Sequence, residues 1–361
     1  MNAISKKNIA IKLALNCLYF SQIYKLLRPV AIGSGVCFVL HNVVQTNNNA
    51  AQNPKLDSDI FIKNQISTAF LESIITLVRD EGFEIVTLDE AHSRLLQGQK
   101  GTRFACFTFD DGYSDNYEIA MPVFLNARAP FTVFLIGNYL LRKQVPWRAA
   151  LPVLFSATDT LSFQMNGTTF HFDLVDVNQR GEALRILFDI LAGPPEQQED
   201  LVAQLIDRYD VDLRLAAENS ILGPASIRAM RDTGLVEFGA HSMTHCNLRL
   251  LPEQDMRCEM RDSRRYVENV TGREVRHFAY PGGRKTHAAE REFTMCRDLG
   301  FMTGWTTQHG HLTPNHSKRL NALPRISLNG HFQHRRYVDV FLSGATNVLY
   351  SIANRLGFEA S

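Results

Sequence analysis

Apolar residues recur along the chain in two alternating patterns. Short, nearly continuous apolar runs at 36–40, 104–109, 131–136, 236–240, 277–280 and 301–306 read as strands buried on both faces. Segments at 119–125, 227–234, 252–270 and 290–299 instead space their apolar residues three and four apart, the helical period. The pairing starts earlier: Phe70, Ile74, Ile75, Leu77 and Val78 form a helical stripe that stops at Gly82, followed by a strand at 84–88 and a helix at 89–96. Repeated strand and helix units predict a parallel sheet, and seven or eight of them favour a (β/α) barrel over an open sheet.

The rhythm stops over 147–220. Residues 160–165 and 168–174 alternate in polarity on either side of Asn166-Gly167, the pair a tight type I′ hairpin turn demands. Helical spacing at 182–191 and 197–209 makes the segment a mixed insertion between two barrel parts, 36–146 and 221–332. A connection leaving the C-terminal end of a barrel strand starts on the active face, so the insertion is expected to overhang the mouth.

Both termini read as helical, within 1–35 and 333–361. Lys6 and Lys7 precede an apolar stretch at 9–20, but Lys12 and Asn16 interrupt it and no small-x-small cleavage site follows. An amphipathic helix over about 4–27 fits better, packed on the domain or lying on a membrane surface. The C-terminal stripe of Phe341, Ala345, Val348, Leu349, Ile352 and Leu356 admits the same two readings. No stretch is long and apolar enough to span a bilayer.

Composition narrows this little. A net charge of +1 gives no reason to expect a nucleic-acid partner, and the local cluster Arg257, Arg261, Arg264 and Arg265 reads as a solvated helix face. The six cysteines show no CxxC pair or framework spacing, which favours a reducing compartment: the cytoplasm, with room for association with the inner face of the membrane.

The chemistry is more specific. Thr108-Phe109-Asp110-Asp111-Gly112-Tyr113 follows directly on an apolar strand. Adjacent carboxylates there can divide two tasks, one ligating a metal while the other accepts a proton, although alone an Asp-Gly pair reads first as a turn former. His241-Ser242-Met243-Thr244-His245 follows another strand with two imidazoles at the spacing that puts both on one side of a helical turn. One carboxylate and two imidazoles make a three-ligand site with positions left open, the arrangement of a catalytic metal, zinc or another borderline divalent ion. After the next strand comes Phe278-Ala279-Tyr280-Pro281-Gly282-Gly283, whose glycines let a substrate approach the main chain.

These segments resemble, in order, the TFDDG, H-(S/T)-x-x-H and third motifs of the polysaccharide deacetylase family, the NodB-homology or carbohydrate esterase 4 group. Leu40-His41-Asn42 and the segment 82–88 are similar to the lead-in of a branch that includes exopolysaccharide deacetylases. The resemblance implies a distorted (β/α) barrel, Asp110 as general base, and Asp111, His241 and His245 as ligands of a divalent metal. It also implies a substrate and oxyanion site at Tyr280, Pro281, the Gly282 N–H and Trp305, and an N-acetylated glycan or glycolipid as substrate. Two departures stand out. The family's third-motif arginine, which orients the base, is Ala279 here, and its aspartate partner near Trp305 is missing; Arg325, in Leu323-Pro324-Arg325-Ile326, is the expected substitute. The closing I-x-L-x-H pattern reads Ile326-Ser327-Leu328-Asn329-Gly330-His331, one residue too long, so a bulge is needed to bring His331 in as general acid; His309 and His311 are its rivals. Alternatives to N-deacetylation are deformylation or deacylation of a lipid-linked sugar, with peripheral membrane contact, and glycan binding without catalysis.

Overall fold

The structure, a computed structural model, describes residues 3–45, 63–98, 101–348 and 350. Twelve strands occur among them: β1 (Gly35–Leu40), β2 (Asn42–Val44), β3 (Gln65–Ser67), β4 (Phe83–Ile85), β5 (Arg103–Phe109), β6 (Phe131–Leu135), β7 (Thr160–Met165), β8 (Thr168–Asp173), β9 (Val236–Ala240), β10 (His277–Ala279), β11 (Thr303–Trp305) and β12 (Ile326–Ser327). Seven of them form one parallel sheet in the order β11-β10-β9-β6-β5-β1-β12, and β4 pairs beside the first half of β5. The sheet curls because the segment 323–327 holds both of its edges. The Leu323 N–H donates to Gly304 O and its carbonyl accepts from the Thr306 N–H, while β12 pairs with β1 at Phe38↔Ile326. This is the expected distorted (β/α) barrel.

The apolar strand runs follow from burial on both faces. Along β5, Phe104 and Cys106 face the barrel interior with Cys37, Phe134, Ala279 and Trp305. The alternate residues Ala105, Phe107 and Phe109 pack outward under the helices. Continuing that alternation brings Thr108 and then Asp110 into the interior at the C-terminal mouth. Helix Thr68–Asp80 starts where the Ser67 side chain accepts the Phe70 N–H, and it buries Phe70, Leu71, Ile74, Ile75, Leu77 and Val78 against the outer layer.

The insertion gathers its own core, with Trp147, Leu151, Leu161, Phe163, Leu184, Leu187 and Leu201 among its members. Its hairpin β7–β8 turns at Asn166 and Gly167 with φ of 51° and 76°, as a type I′ turn requires. Both ends dock at the barrel mouth. The Gln144 side chain donates to Thr244 O at 3.0 Å, the Asn247 N–H donates to Ala192 O at 3.0 Å, and Tyr113 pairs with Ile221.

The amino-terminal helix differs from the expected single element. It is two helices, Ala3–Phe20 and Ile23–Ala31, broken where Gln22 takes a left-handed φ of 57°. Leu15, Leu18 and Tyr24 join the core, and helix Arg335–Leu342 packs on both Ala3–Phe20 and Thr68–Asp80. Phe341 and Ala345 of the C-terminal stripe are core residues, whereas Leu349, Ile352 and Leu356 lie outside the described residues. No helix among the described residues is long and apolar enough to cross a membrane.

Candidate metal centre and base

Two strand ends and one loop build the site. Asp110 and Asp111 follow β5; both are 2 % exposed, and Asp111 is held at a left-handed φ of 77° that turns the chain across the mouth. His241 follows β9 and donates from Nδ1 to Ala279 O, 2.7 Å away, which points Nε2 at the carboxylates. His245 returns to the same spot by a route other than the expected helical turn. Residues 242–245 form a bend with left-handed Ser242 and His245, closed by a bond from the His245 N–H to Ser242 Oγ. Glu259, on the helix Glu253–Thr271, accepts from the Met243 and Thr244 N–H groups at 2.9 Å each and from the Thr244 hydroxyl at 3.0 Å, fixing the bend. That carboxylate carries no local sequence signal, because a glutamate on an amphipathic helix looks like any surface residue.

Asp111 Oδ1 lies 3.3 Å from His245 Nε2 and 3.6 Å from His241 Nε2. It is also a buried acceptor without a hydrogen-bond partner. Burial pushes the His245 imidazole down to about 3. Burial alone would raise Asp111, but the neighbouring imidazoles and Arg148 more than offset this and hold it below the usual carboxylate range. At neutral pH these two groups therefore stand in their ligating forms. A converging carboxylate and two imidazoles with an orphaned buried oxygen fit a divalent ion.

Asp110 is bound differently. Arg325, fully buried, forks onto it with Nη1 to Oδ1 at 2.7 Å and Nη2 to Oδ2 at 2.8 Å, while two further donors reach Thr108 Oγ1 and Thr306 O. Burial would raise the Asp110 carboxyl; Arg325 and His241 outweigh it and hold the pKa at about 2. Ala279 contributes only a methyl group and the carbonyl that orients His241. The arginine thus reaches the aspartate from β12 rather than from β10.

His41, which the sequence did not mark as a site residue, stands beside this pair. The register Leu40↔Phe109 carries β1 alongside β5, so His41 emerges next to Asp110. Burial pushes its imidazole down to about 4 against the pull of Asp111 and Asp110. His331 lies in the turn Gly330–Phe332 after β12, edge-on to Phe332. Its two rivals are spent elsewhere: His309 bonds Thr346 and stacks on Tyr350, and His311 spans Gly33 N–H and Phe341 O, tying the C-terminal helix to the barrel.

Gly282 and Gly283 turn with φ of 69° and 61°, and a Cβ on the former would strike the His287 ring. Tyr280 and Trp305 keep their rings out of the mouth. Tyr280 is buried with its hydroxyl donating to Asn321 O, and Trp305 is wholly buried in the barrel interior, so neither ring offers surface to a sugar. A second cluster, Asp89, Glu237 and His277, sits at the opposite end of the barrel. Its carboxylates already take bonds from Leu88 N–H, Thr132, Arg276 and His277, and it reads as a polar plug.

The curled barrel thus brings a carboxylate pair and two facing imidazoles together at its mouth. The chain belongs to the polysaccharide deacetylase family, whose model matches residues 97–302. Arg325 and His41 both lie outside that stretch. YxkH of Bacillus subtilis (strain 168), itself named only provisionally as a polysaccharide deacetylase, is 27 % identical over 158 residues, covering 41 % of this chain and 53 % of its own. The chain thus spans about half the length of that relative. The deacetylase PplD of Streptococcus pyogenes, solved with acetate, superposes with a TM-score of 0.54 at 15 % identity, over 85 % of this chain and 97 % of its own. IcaB of Ammonifex degensii gives 0.51 at 16 % identity, over 87 % and 97 %. Both likenesses speak to the fold.

Proposed function

We propose that the chain is a metal-dependent hydrolase that removes N-acetyl groups from a polysaccharide, oligosaccharide or glycolipid. The observation that carries this is the division of labour within one carboxylate pair: Asp111 turns an unpartnered oxygen toward two imidazoles, and Asp110 is kept ionised by Arg325. Asp111, His241 and His245 would hold a divalent ion, zinc by this donor set, which would supply Lewis acidity. Asp110 takes the proton of the attacking water. The Gly282 N–H, in the left-handed Pro281-Gly282-Gly283 turn, is the donor for the developing oxyanion in this reading. The C–N bond then breaks, giving acetate and a free amine. The test is acetate release from N-acetylated oligosaccharides. It should be abolished by a chelator and restored by zinc; no release from any acetylated glycan with metal present would favour a glycan-binding protein on the same barrel.

The leaving amine needs a proton, and the β1–β5 register carries His41 next to Asp110, where its neutral imidazole can take up the proton that Asp110 removes from the water and pass it on, whereas His331 lies in the turn beyond β12. His41→Gln is expected to lower kcat on amide substrates by about 10²-fold, with His331→Gln closer to wild type. The opposite ranking in the same assay would give the role to His331.

One surface favours a membrane-borne substrate. Ile9, Leu13, Phe20, Ile23, Leu26 and Val30 of the first two helices are exposed, and no acidic residue precedes Asp57 while Lys6, Lys7, Lys12 and Lys25 do. The chain should therefore float with vesicles containing anionic lipid, and Leu13→Asp/Leu26→Asp should stay at the bottom of the gradient. Failure of the unmodified chain to float would remove the lipid-linked reading.

A further inference from the structure

Arg148 is a charged group beside the metal centre that the proposed reaction leaves without a task. It stands in the first turn of the insertion helix Trp147–Ala157, packed against two touching rings, 4.4 Å from the Trp147 centroid and 5.0 Å from that of Phe188. Gln144, four residues before it, donates to Thr244 O next to His245, so the insertion brings the guanidinium to the ligand cluster, and its charge acts on Asp111, His41 and His245 alike. Yet it makes no hydrogen bond or ion pair among the described residues, and its Nε is fully buried without a partner. Arginine donors in such surroundings are nearly always satisfied. Asp111 does not satisfy it, because the free oxygen of that carboxylate faces the imidazoles.

The position is electrostatically odd for a resting enzyme. A fixed cation beside a site built for a dication is repelled unless an anion lies between or alongside them. Trp147 and Phe188 belong to the insertion's own core, so the guanidinium is presented by a rigid element rather than by a mobile surface chain. The insertion itself is pinned to the loop carrying the two imidazoles through Gln144–Thr244 and Asn247–Ala192.

We infer that Arg148 is a specificity residue for an anionic sugar: the substrate carries a carboxylate or a phosphate close to its N-acyl group, and Arg148 takes that charge as a bidentate partner. The insertion would thus select the substrate rather than only wall the groove. The inference rests on the deacetylase reading for the reaction, but recognition can be measured apart from it.

The measurement is calorimetric binding to the zinc-loaded full chain of three probes: N-acetylglucosamine, N-acetylglucosamine 1-phosphate, and a disaccharide of glucuronic acid and N-acetylglucosamine. At least one anionic probe should bind about 10- to 100-fold more tightly than the neutral sugar, as expected for charge-assisted hydrogen bonds. Which anionic probe it is separates phosphate from carboxylate. Arg148→Gln should erase that preference without changing zinc content, and Arg148→Lys should keep part of it. Equal binding of all three probes to the unmodified chain, or a loss in Arg148→Gln that is as large for the neutral sugar, overturns the inference. A charge preference in a chain that releases no acetate from any glycan would sustain the inference and sink the deacetylase reading.

Discussion

Asp110→Asn is expected to lower kcat for acetate release by about 10²–10⁴-fold while leaving the bound metal in place. The change is isosteric and removes the one group near the water that is both ionised and outside the proposed ligand set. Asp111→Asn, by contrast, should lose metal and activity together, because its Oδ1 is the oxygen turned toward both imidazoles. Metal analysis alongside steady-state kinetics separates the two. Hydrolysis by Asp110→Asn within tenfold of the unmodified chain would mean that the base is another group.

How much of this was legible in the sequence depends on whether neighbours in space are neighbours in the chain. Asp110-Asp111 and His241–His245 could be read because each set directly follows a strand, and parallel strands present their C-terminal ends at one mouth. The hairpin could be read because Asn166-Gly167 is a local turn signal. Arg325 was reached only indirectly, from the absence of an arginine at Ala279. His41 was missed because its relation to Asp110 exists only in the β1–β5 register, which no local pattern encodes. The bend at 242–245 was misread as a helical turn, since spacing alone does not distinguish it from a loop that Glu259 holds from a distant helix. The break at Gln22 has neither glycine nor proline to announce it, and the complete burial of the Trp305 and Tyr280 rings depends on packing that no local pattern encodes.

The Arg325–Asp110 pair makes the sharpest energetic claim. Its bidentate geometry is enclosed on every side, so neither charge has water to fall back on. Removing one partner of such a pair leaves the other charge buried and unpaired, at a cost of about 3–5 kcal/mol. Arg325→Met is therefore expected to be destabilised by that order at pH 7 and to lose about 10²-fold or more in kcat, since desolvation, no longer opposed, drives Asp110 to hold its proton. The sign with pH follows. In the unmodified chain Asp110 titrates at about 2, below the roughly 3.9 of an unfolded aspartate. Its contribution is thus present above about pH 4 and is lost as the pH falls through the folded value. In Arg325→Met the folded pKa lies above the unfolded one, so the variant's deficit shrinks as pH falls from 7 toward 4. Denaturant unfolding at several pH values checks this. The double variant Asp110→Asn/Arg325→Met, with both charges gone, should recover much of the lost stability and none of the activity. A deficit in Arg325→Met that does not change with pH, or a double variant as unstable as the single, would make Arg325 a packing residue rather than the group that keeps the base ionised.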